Sequence, residues 1–329
     1  MTFPSASVVI PNFNGAKWLP GCLGGLAAQT FRGFEVIVVD NGSVDGSVEW
    51  LAQHDPEVRL VALGRNTGFA AAVNAGIAIA RGEYVALLNN DTLPRPEWLS
   101  GLVDALETSP PSIGAVASMM ISMEAPERLD NAGDALSWTG AAEKKGHGQP
   151  LETFSARREI LSPCAGAALY RRSFLEHVGG FDERFFAYLE DLDVGLRGRL
   201  LGYSYHFEPS AQVLHKGQGS SLPRPDYVRL VTCNRLTLFA KNVPLRLLIK
   251  HFPQLAYGQL YFLIAYRHPL HSLAGYARFL LQLPQTSKQR RRIARSRRIT
   301  PGQIDSLLSL RHPEPTLRSL FRRWIRQGA

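Results

Sequence analysis

Residues 84–92 (YVALLNNDT) constrain the fold of this 329-residue chain more than any other segment. Five consecutive apolar or aromatic residues are typical of a strand that is buried on both faces, as in a parallel sheet. The strand ends abruptly in Asn89, Asn90, Asp91 and Thr92. Ligands of open α/β sheets bind at the carboxyl ends of the strands, and a carboxylate there can hold a hard cation that binds phosphate. The competing interpretation is an ordinary Asp turn.

Strands alternate with helices on both sides of this segment. Apolar runs predict earlier strands at residues 5–10, 34–39 and 58–63, and the intervening segments have helical spacing. This alternation predicts an α/β fold with a doubly wound, mostly parallel sheet and flanking helices. Further along, we expect a helix at 94–106, a strand at 113–121, a hairpin-bearing insertion within 124–160, a strand at 164–170, and a hairpin at 203–213.

The first, second and fourth predicted strands all end in Asn or Asp, so polar groups should converge on one edge of the sheet. The first strand runs into PNFNG (residues 11–15) instead of a Gly-x-Gly-x-x-Gly motif, which argues against a dinucleotide-binding dehydrogenase. Phe13 and Asp40 have the chemistry to sandwich a nucleobase and accept its imide N–H. The alternative for these two residues is a core aromatic and an Asx-turn.

A second acidic segment lies at residues 188–197 (YLEDLDVGLR). Leu192, Leu196 and Leu200 share one helical face, which places Glu190 and Asp191 in the first turn of the helix. The helix dipole favours carboxylates there. N-capping is therefore one explanation for Asp191, and it is compatible with a catalytic role.

The net charge of +9 is concentrated at the end of the chain: residues 246–329 carry 16 Lys and Arg against two acidic residues. The longest stretch there without Lys or Arg, residues 251–266, is shorter than the roughly 20 apolar residues of a spanning helix. In-plane amphipathic helices followed by polybasic runs (288–298 and 318–326) predict attachment to an anionic membrane surface. A helical bundle packed on the catalytic domain is the alternative. Nucleic acid is not expected as a partner because no base-stacking module is present.

Three scattered cysteines exclude a disulfide framework or a cysteine-rich zinc site. The chain starts without the basic and apolar regions of a secretory signal. We therefore expect a cytoplasmic protein that is peripheral at the inner face of the cell membrane.

Six segments in this order resemble the family 2 glycosyltransferases of GT-A fold, especially the rhamnosyltransferase-like branch. The resemblance extends from about residue 7 to 242. It predicts a catalytic domain at 1–242, with a nucleotide-sugar half (1–123) and an acceptor and catalytic-base half (124–242), followed by a basic amphipathic region at 243–329. The segments are VVIPNFNG, VVDNGSVDGS, NTGFAAAVNAGI, LLNNDT, GGFDERFFAYLEDLDVGLRGRLLGY and VLHKGQGSS.

The resemblance implies a donor pocket, with Asp40 pairing to a uracil or thymine imide. Asp91 is similar to the last acid of the family's Asp-x-Asp metal motif, although Asn89 replaces the first acid. His215 matches a histidine that completes the metal site in some relatives, and Asp191 matches the general base. The implied cofactor is Mn²⁺ or Mg²⁺. The implied donor-binding residues are Pro11, Phe13, Asn14, Asp40, Asn66, Gly68, Asn74, Asn90 and Asp91.

These features predict an inverting glycosyltransferase of cell-envelope glycan synthesis. It would move a sugar, rhamnose above others, from a dTDP- or UDP-linked donor to a lipid-linked or polysaccharide acceptor. The alternatives are transfer of another UDP- or dTDP-hexose, a sugar-nucleotide nucleotidyltransferase, and a non-catalytic sugar-nucleotide binder. A nucleotidyltransferase should carry a Gly-rich basic loop after the first strand, and PNFNGAKW is a poor version of one.

Overall fold

The structure is a computed structural model that describes residues 4–55, 57–217, 222–320 and 322. The chain forms two compact units. The first comprises Met1–Asp134 with Lys144–Ser221, and the second comprises Ala135–Glu143 with Leu222–Ala329. The domain boundary predicted from the sequence, after residue 242, lies beyond Leu222, where the long segment of the second unit begins. The difference arises because the helix that ends at Asn242 packs on a long helix of the second unit.

The described residues contain short and medium strands, most of them in the first unit. They are β1 (Ala6–Asn12), β2 (Phe34–Asp40), β3 (Arg59–Ala62), β4 (Tyr84–Leu88), β5 (Thr92–Pro94), β6 (Ile113–Ser122), β7 (Leu129–Asn131), β8 (Asp134–Leu136), β9 (Ala142–Lys144), β10 (Arg158–Ile160), β11 (Ala167–Arg171) and β12 (Ser204–His215).

Helices connect these strands and make up most of the second unit. They are α1 (Leu19–Ala27), α2 (Ser47–His54), α3 (Phe69–Ile79), α4 (Trp98–Glu107), α5 (Arg172–Val178), α6 (Glu190–Leu200), α7 (Arg224–Asn242), α8 (Leu245–Lys250), α9 (Phe252–Tyr266), α10 (Pro269–Ser296) and α11 (Pro301–Leu307). Two 3₁₀ turns lie at Leu151–Phe154 and Glu183–Phe185.

The central sheet has the order β10-β12-β6-β11-β4-β1-β2-β3. Strands β3, β2, β1, β4, β6 and β12 run in one direction, and β11 lies antiparallel between β4 and β6. The α/β fold with a mostly parallel sheet is therefore confirmed. The expected hairpin in the 124–160 insertion is present as β8 and β9.

The predicted hairpin at 203–213 is wrong. Residues 204–215 form the single long strand β12, which pairs in parallel with β6 and bulges between Glu208 and Gln212. The Glu208 carboxylate accepts hydrogen bonds from the Ser210 backbone N–H and hydroxyl at 3.1 and 2.7 Å, and these bonds stabilise the bulge. A Pro-Ser pair that is typical of a turn thus serves as a bulge, and the strand continues to His215.

The helix predicted at 94–106 begins later than expected. Thr92–Pro94 form β5, which pairs with the end of β12, and α4 begins only at Trp98. This edge pairing places Thr92 beside His215.

Helices cover both faces of the sheet. Val9, Ile37 and Val39 pack with α3 in one buried cluster, whereas Val8 and Ile10 pack with α1 and α4 in another. All five residues of β4 are buried, as the unbroken apolar run predicted. Each fully buried aliphatic side chain contributes about 1.5–3 kcal/mol, so these clusters hold the strand tips in a fixed register.

The second unit is built around α7 and α10. Gly275 of α10 lets the two helices approach closely, because a Cβ at this position would lie 2.7 Å from the backbone oxygen of Arg229 in α7. Elsewhere in this unit, Trp138 stacks on His251 with ring centroids 3.9 Å apart, and His251 Nε2 lies 2.7 Å from Asp305 Oδ1. Among the residues that the structure describes, no helix has both the length and the apolar character needed to cross a bilayer.

Candidate active site

The Asn12 side chain is the centre of the carboxyl edge of the sheet. It is 2 % exposed, and its amide nitrogen lies 3.1 Å from Asp40 Oδ1 and 3.0 Å from Ser47 Oγ. Its amide oxygen accepts a hydrogen bond from Asn90 Nδ2 at 2.8 Å. One amide therefore joins the tips of β1, β2 and β4, which the parallel register places side by side.

Asp40 also stabilises its own turn. Its Oδ2 accepts hydrogen bonds from the backbone N–H groups of Gly42 and Ser43, both at 3.1 Å. This is the Asx-turn that the sequence offered as the alternative. Because a carboxylate has about four acceptor positions, these contacts leave room for a further donor such as an imide N–H.

The loops after β1 and β2 are joined by hydrogen bonds. The Asn14 backbone N–H donates to Ser43 Oγ at 2.9 Å, and the Val44 backbone N–H donates to Asn14 Oδ1 at 2.9 Å. Pro11 and Phe13 are half-buried and Asn14 is exposed. The predicted base-binding residues thus lie on one rim of the edge.

The loop before α3 is organised by Asn41. Its Oδ1 accepts hydrogen bonds from the Thr67 backbone and hydroxyl at 2.8 and 2.9 Å, and its Nδ2 donates to the backbone oxygen of Gly68 at 3.1 Å. Gly68 has φ +90°, and a Cβ there would lie 2.5 Å from the backbone oxygen of Phe186. Only glycine fits, because both the backbone conformation and the space exclude a side chain.

Asn74 contacts a different segment from the other predicted donor residues. Its Nδ2 donates to the Phe181 backbone oxygen at 2.8 Å and to Glu183 Oε1 at 3.0 Å, while its Oδ1 accepts from the Phe181 backbone N–H at 2.9 Å. These bonds fasten α3 to the loop that leads to α6. Asn66 Oδ1, in contrast, accepts from the Gly68 backbone N–H within its own turn.

Asp91 and His215 lie together, although 124 positions separate them in the chain. His215 Nε2 is 3.5 Å from Asp91 Oδ1, and both residues are less than 10 % exposed. The Lys216 backbone N–H donates to the Asp91 backbone oxygen at 3.0 Å. The long strand β12 makes this pairing possible because its end reaches the tip of β4.

A third residue, Asp130, orients the His215 ring. Asp130 Oδ2 lies 2.7 Å from His215 Nδ1, so Nδ1 carries a proton and Nε2 faces Asp91. Lys144 Nζ lies 2.8 Å from Asp130 Oδ1. Burial raises the pKa of Asp130, but the His215 and Lys144 contacts outweigh it and hold that pKa well below its usual range. Burial lowers the pKa of His215, whereas the Asp130 and Asp91 carboxylates raise it to about 9.

The Asp91–His215 pair fits a divalent cation. A carboxylate oxygen and an imidazole nitrogen are donors that Mn²⁺ accepts readily. An Nδ1–H bound to a carboxylate is the usual support of a metal-binding histidine, because it keeps Nε2 as the nitrogen that faces the ion. Since the pKa of His215 is raised to about 9, binding of an ion at neutral pH would release the Nε2 proton. Asp91 and His215 would hold the ion, and Asp130 would orient His215.

Asp191 lies in the first turn of α6, as predicted. Its Oδ1 accepts the Leu192 backbone N–H at 2.8 Å. Burial raises the pKa of Asp191, and hydrogen bonds from Leu192, Asp134 and Ala165 oppose that rise. Burial raises the pKa of the neighbouring Glu190 well above its usual range, and its Oε2 has no hydrogen-bond partner among the described residues.

The backbone before α6 is strained. Phe186, Tyr188 and Leu189 all have positive φ, between 63° and 71°. Non-glycine residues in such conformations cost on the order of 1–3 kcal/mol each, and they cluster at functional sites. The cost is consistent with a segment whose conformation serves to place Asp191.

The loop at residues 164–166 contacts both the end of β4 and Asp191. The Ala165 backbone N–H donates to the Asp191 carboxylate, while the Gly166 backbone oxygen accepts the Asn89 N–H at 2.8 Å. The consecutive residues Ala165 and Gly166 therefore contact Asp191 and the end of β4. The Asp191 carboxylate thus lies beside a loop that is bonded to Asn89 at the end of β4, two residues before Asp91.

Four residues of this site did not stand out in the sequence. Asn12 and Asn41 lie inside the PNFNG and DNGS motifs, where strand-end position was an available signal. Asp130 and Asp134 lie in the irregular insertion, and no local pattern distinguishes them from surface acids.

Comparison with known proteins defines the class. The family model described as "Glycosyl transferase family 2" matches residues 7–179. The N-acetylglucosaminyl-diphospho-decaprenol L-rhamnosyltransferase of Mycobacterium tuberculosis is 32 % identical over 239 residues, which cover 63 % of this chain and 75 % of the relative. The protein y4gI of Sinorhizobium fredii is 30 % identical over 233 residues, which cover 66 % of this chain but only 25 % of that longer protein.

Among solved structures, GalNAc-T7 with UDP, GalNAc and Mn²⁺ superposes with a TM-score of 0.56 and 16 % identity, over 73 % of this chain and 51 % of that chain. This likeness shows the fold alone. The fold is of GT-A type. The chain belongs to glycosyl transferase family 2, with rhamnosyltransferase-like relatives.

The Asn12 network generates a first prediction. Asn12→Ala leaves the Asn90 amide and an Asp40 oxygen without a buried partner, so we expect the free energy of unfolding to fall by about 2–4 kcal/mol. Gln53→Ala is the control, since Gln53 is an exposed amide in α2 and its loss should cost under about 1 kcal/mol. Urea denaturation measures both. Equal losses in the two variants would contradict the central position of Asn12.

Proposed function

We propose that this protein is an inverting glycosyltransferase. It moves a sugar, rhamnose above others, from a dTDP- or UDP-linked donor to a hydroxyl of a lipid-linked or polysaccharide acceptor in cell-envelope glycan synthesis. The observation that carries the proposal is the placement of two acids by the end of β4: Asp91 lies just after that strand beside His215, and the Asp191 carboxylate accepts the Ala165 N–H from a loop whose next residue bonds to Asn89 at the same strand end. The name of the M. tuberculosis relative supports the sugar and the acceptor class.

The rim formed by the β1 and β2 loops is the proposed nucleobase pocket. Phe13 would stack on the base, and the Asp40 carboxylate would accept its imide N–H. Pro11, Asn14 and the turn of Asn66 and Gly68 would shape the rest, with Asn90 held beside it by Asn12. Asn74 would contribute through the loop that it fastens.

The diphosphate of the donor would lie at the tip of β4, against Asp91 and His215. A bound Mn²⁺ or Mg²⁺ would neutralise the charge that the departing diphosphate gathers. The short chain from Lys144 through Asp130 to His215 keeps the imidazole pointed at this position. The Asn89 replacement leaves Asp91 as the acid of the motif that contacts His215.

Asp191 would act as the general base. The acceptor hydroxyl gives its proton to the Asp191 carboxylate as its oxygen forms a bond to the anomeric carbon, and the bond between that carbon and the diphosphate breaks on the opposite face. Attack from the opposite face inverts the anomeric configuration. One carboxylate is sufficient for this chemistry.

Replacement of the base tests the reaction directly. Asp191→Asn should lower kcat by about 10²–10⁴-fold, because the amide cannot accept the proton. Binding of dTDP or UDP should be unchanged. Glu176→Gln, an exposed acid in α5, is the control and should behave as wild type. The measurement is product formation in a screen of dTDP- and UDP-sugars, with calorimetry for nucleotide binding; wild-type turnover by Asp191→Asn would remove this residue from the reaction.

The metal site is tested through Asp130. Asp130→Asn removes the carboxylate that fixes the His215 tautomer, so the affinity for Mn²⁺ should fall by about 10–100-fold. Glu124→Gln is a matched control, since Glu124 is an exposed acid that pairs with the neighbouring Lys216. Calorimetric titration of Mn²⁺ in the presence of UDP gives the affinities. An unchanged affinity in Asp130→Asn would show that Asp130 has no part in metal binding.

Helix α10 supports attachment to an anionic membrane surface. Its exposed apolar side chains Leu270, Leu273, Leu280 and Leu281 share one helix face, and the first and last of them are 75 % and 83 % exposed. The same stripe continues with exposed Lys288, Arg291, Arg292 and Arg295. The opposite face, with Ser272, Gly275 and Thr286, is buried.

The stripe therefore changes from apolar to cationic along one helix face. Apolar side chains enter the acyl boundary, and each Lys or Arg near anionic lipid contributes about 1 kcal/mol. Leu245, Ile249 and Phe252 form a second exposed apolar set around α8. We propose that these surfaces hold the enzyme at the inner face of the cell membrane, near a lipid-linked acceptor. Most of the basic segment at 318–326 lies outside the described residues.

A double substitution tests this surface. Leu280→Glu with Leu281→Glu should reduce sedimentation with phosphatidylglycerol vesicles by about tenfold or more, since it places two carboxylates in the apolar part of the stripe. Leu310→Glu, at an exposed leucine outside the helices, is the control. Sugar-nucleotide turnover in detergent should be equal in all three proteins. Undiminished vesicle binding by the double variant would exclude α10 as the attachment site.

A further inference from the structure

Asp191, the proposed general base, is one of two neighbouring carboxyl groups, and the other is the buried Asp134. One carboxyl oxygen each of Asp134 and Asp191 and the Cys164 Sγ all lie within 4.8 Å of one another. Two carboxylates this close repel each other when both are ionised, so one of them keeps a proton, which it can donate in a hydrogen bond to the other. The pair therefore holds one proton.

The surroundings decide which member is charged. Asp191 accepts backbone N–H groups from Leu192, at 2.8 Å, and from Ala165, and N–H donors favour the ionised form. The dipole of the 11-residue helix α6 favours a negative charge in its first turn as well. Asp134 is 8 % exposed, and burial raises its pKa well above the usual range. The negative charge resides on Asp191 and the proton on Asp134.

Asp134 is held rigidly. The Asn131 amide donates to Asp134 Oδ1 at 2.8 Å, and the Gly133 N–H donates to Asn131 Oδ1 at 2.6 Å. The Asp134 backbone N–H donates to the Ser162 backbone oxygen at 2.8 Å. The Ser162 hydroxyl in turn donates to the backbone oxygen of Asp191 at 2.9 Å. One framework thus fixes both carboxyl groups.

We propose that Asp134 is the positioning residue of the catalytic base: as a neutral acid it donates a hydrogen bond to the Asp191 carboxylate and sets its orientation toward the acceptor hydroxyl. The inference rests on the proposed transferase function. During transfer the acceptor proton goes to Asp191, the new carbon–oxygen bond forms, and the bond to the diphosphate breaks. Asp134 keeps its own proton throughout.

Several other charged or titratable groups surround the pair, and they shape its pH response. Burial raises the pKa values of Glu190, Cys164 and Tyr170 well above their usual ranges, so these groups stay neutral beside Asp191. Asp193 is paired with Arg197 at 2.9 Å. The ammonium group of Lys144 also acts on Asp134 through its charge.

Two substitutions at one position test the proposal. Asp134→Ala should lower kcat by about 10–100-fold, the usual value of a hydrogen bond to a charged group, while KM for the sugar nucleotide stays within about twofold. The acid limb of kcat/KM should move to higher pH, because loss of a donor to the ionised form raises the pKa of Asp191. Asp134→Asn retains a donor and an acceptor in the same place, so it should restore kcat and the acid limb to near wild type. Glu127→Gln, an exposed acid of the same insertion, is the control.

Carbon-13 NMR of labelled aspartate carboxyl groups gives a readout without turnover. In the wild type the two carboxyl signals should titrate together in two steps, and in Asp134→Asn the Asp191 signal should titrate in one. If no sugar nucleotide is turned over but the paired titration is seen, the proposed function fails and the pairing stands.

Three results would overturn the inference. One is an active enzyme in which Asp134→Ala keeps the wild-type kcat and acid limb. Another is a loss in Asp134→Asn as large as that in Asp134→Ala, with both proteins folded by circular dichroism. The third is binding of Zn²⁺ in place of the proton, seen as a thermal shift of the wild type that Cys164→Ser abolishes.

Discussion

The structure of this site depends on the pairing of polar groups that the sheet buries at its carboxyl edge. Asn12, Asp40, Asn41, Asn90 and Asp91 are each less than 10 % exposed. A buried polar group without a partner costs about 1–3 kcal/mol, so five such groups are tolerated only when each of them has a hydrogen-bond or ionic partner. Asn12 provides such partners at the tips of three strands. The site is preorganised because its own stability requires the same bonds.

The two acids of the proposed reaction are supported in the same way by a carboxylate or carboxyl group from the insertion. Asp130 orients His215 beside Asp91, and Asp134 contacts Asp191. The surroundings shift the pKa values of these two supporting residues in opposite directions: Lys144 and His215 keep Asp130 ionised, whereas burial keeps Asp134 neutral. A segment that looks irregular in sequence thus supplies the supporting residue for each proposed function, metal binding and proton removal.

Much of this arrangement was predictable from sequence. The apolar run of β4 predicted a strand buried on both faces, and the polar residues after β1, β2 and β4 predicted one shared edge. The acidic first turn of α6 was also predicted. The hairpin expected at 203–213 was wrong because Pro209 and Ser210 are typical of a turn, whereas the sheet accommodates them in a bulge of β12. Local pattern cannot distinguish the two, since the difference lies in pairing with β6.

The sequence alone determined the alternation of strands and helices, the polar strand tips and the family, because each of these is written in a few neighbouring residues. Tertiary structure decided the partners of the ionisable groups: Asp130 meets His215 across 85 positions, and Asp134 meets Asp191 across the loop at 164–166. The charge of a buried carboxyl group depends on what it touches and on how much water surrounds it. Neither quantity exists until the chain has folded.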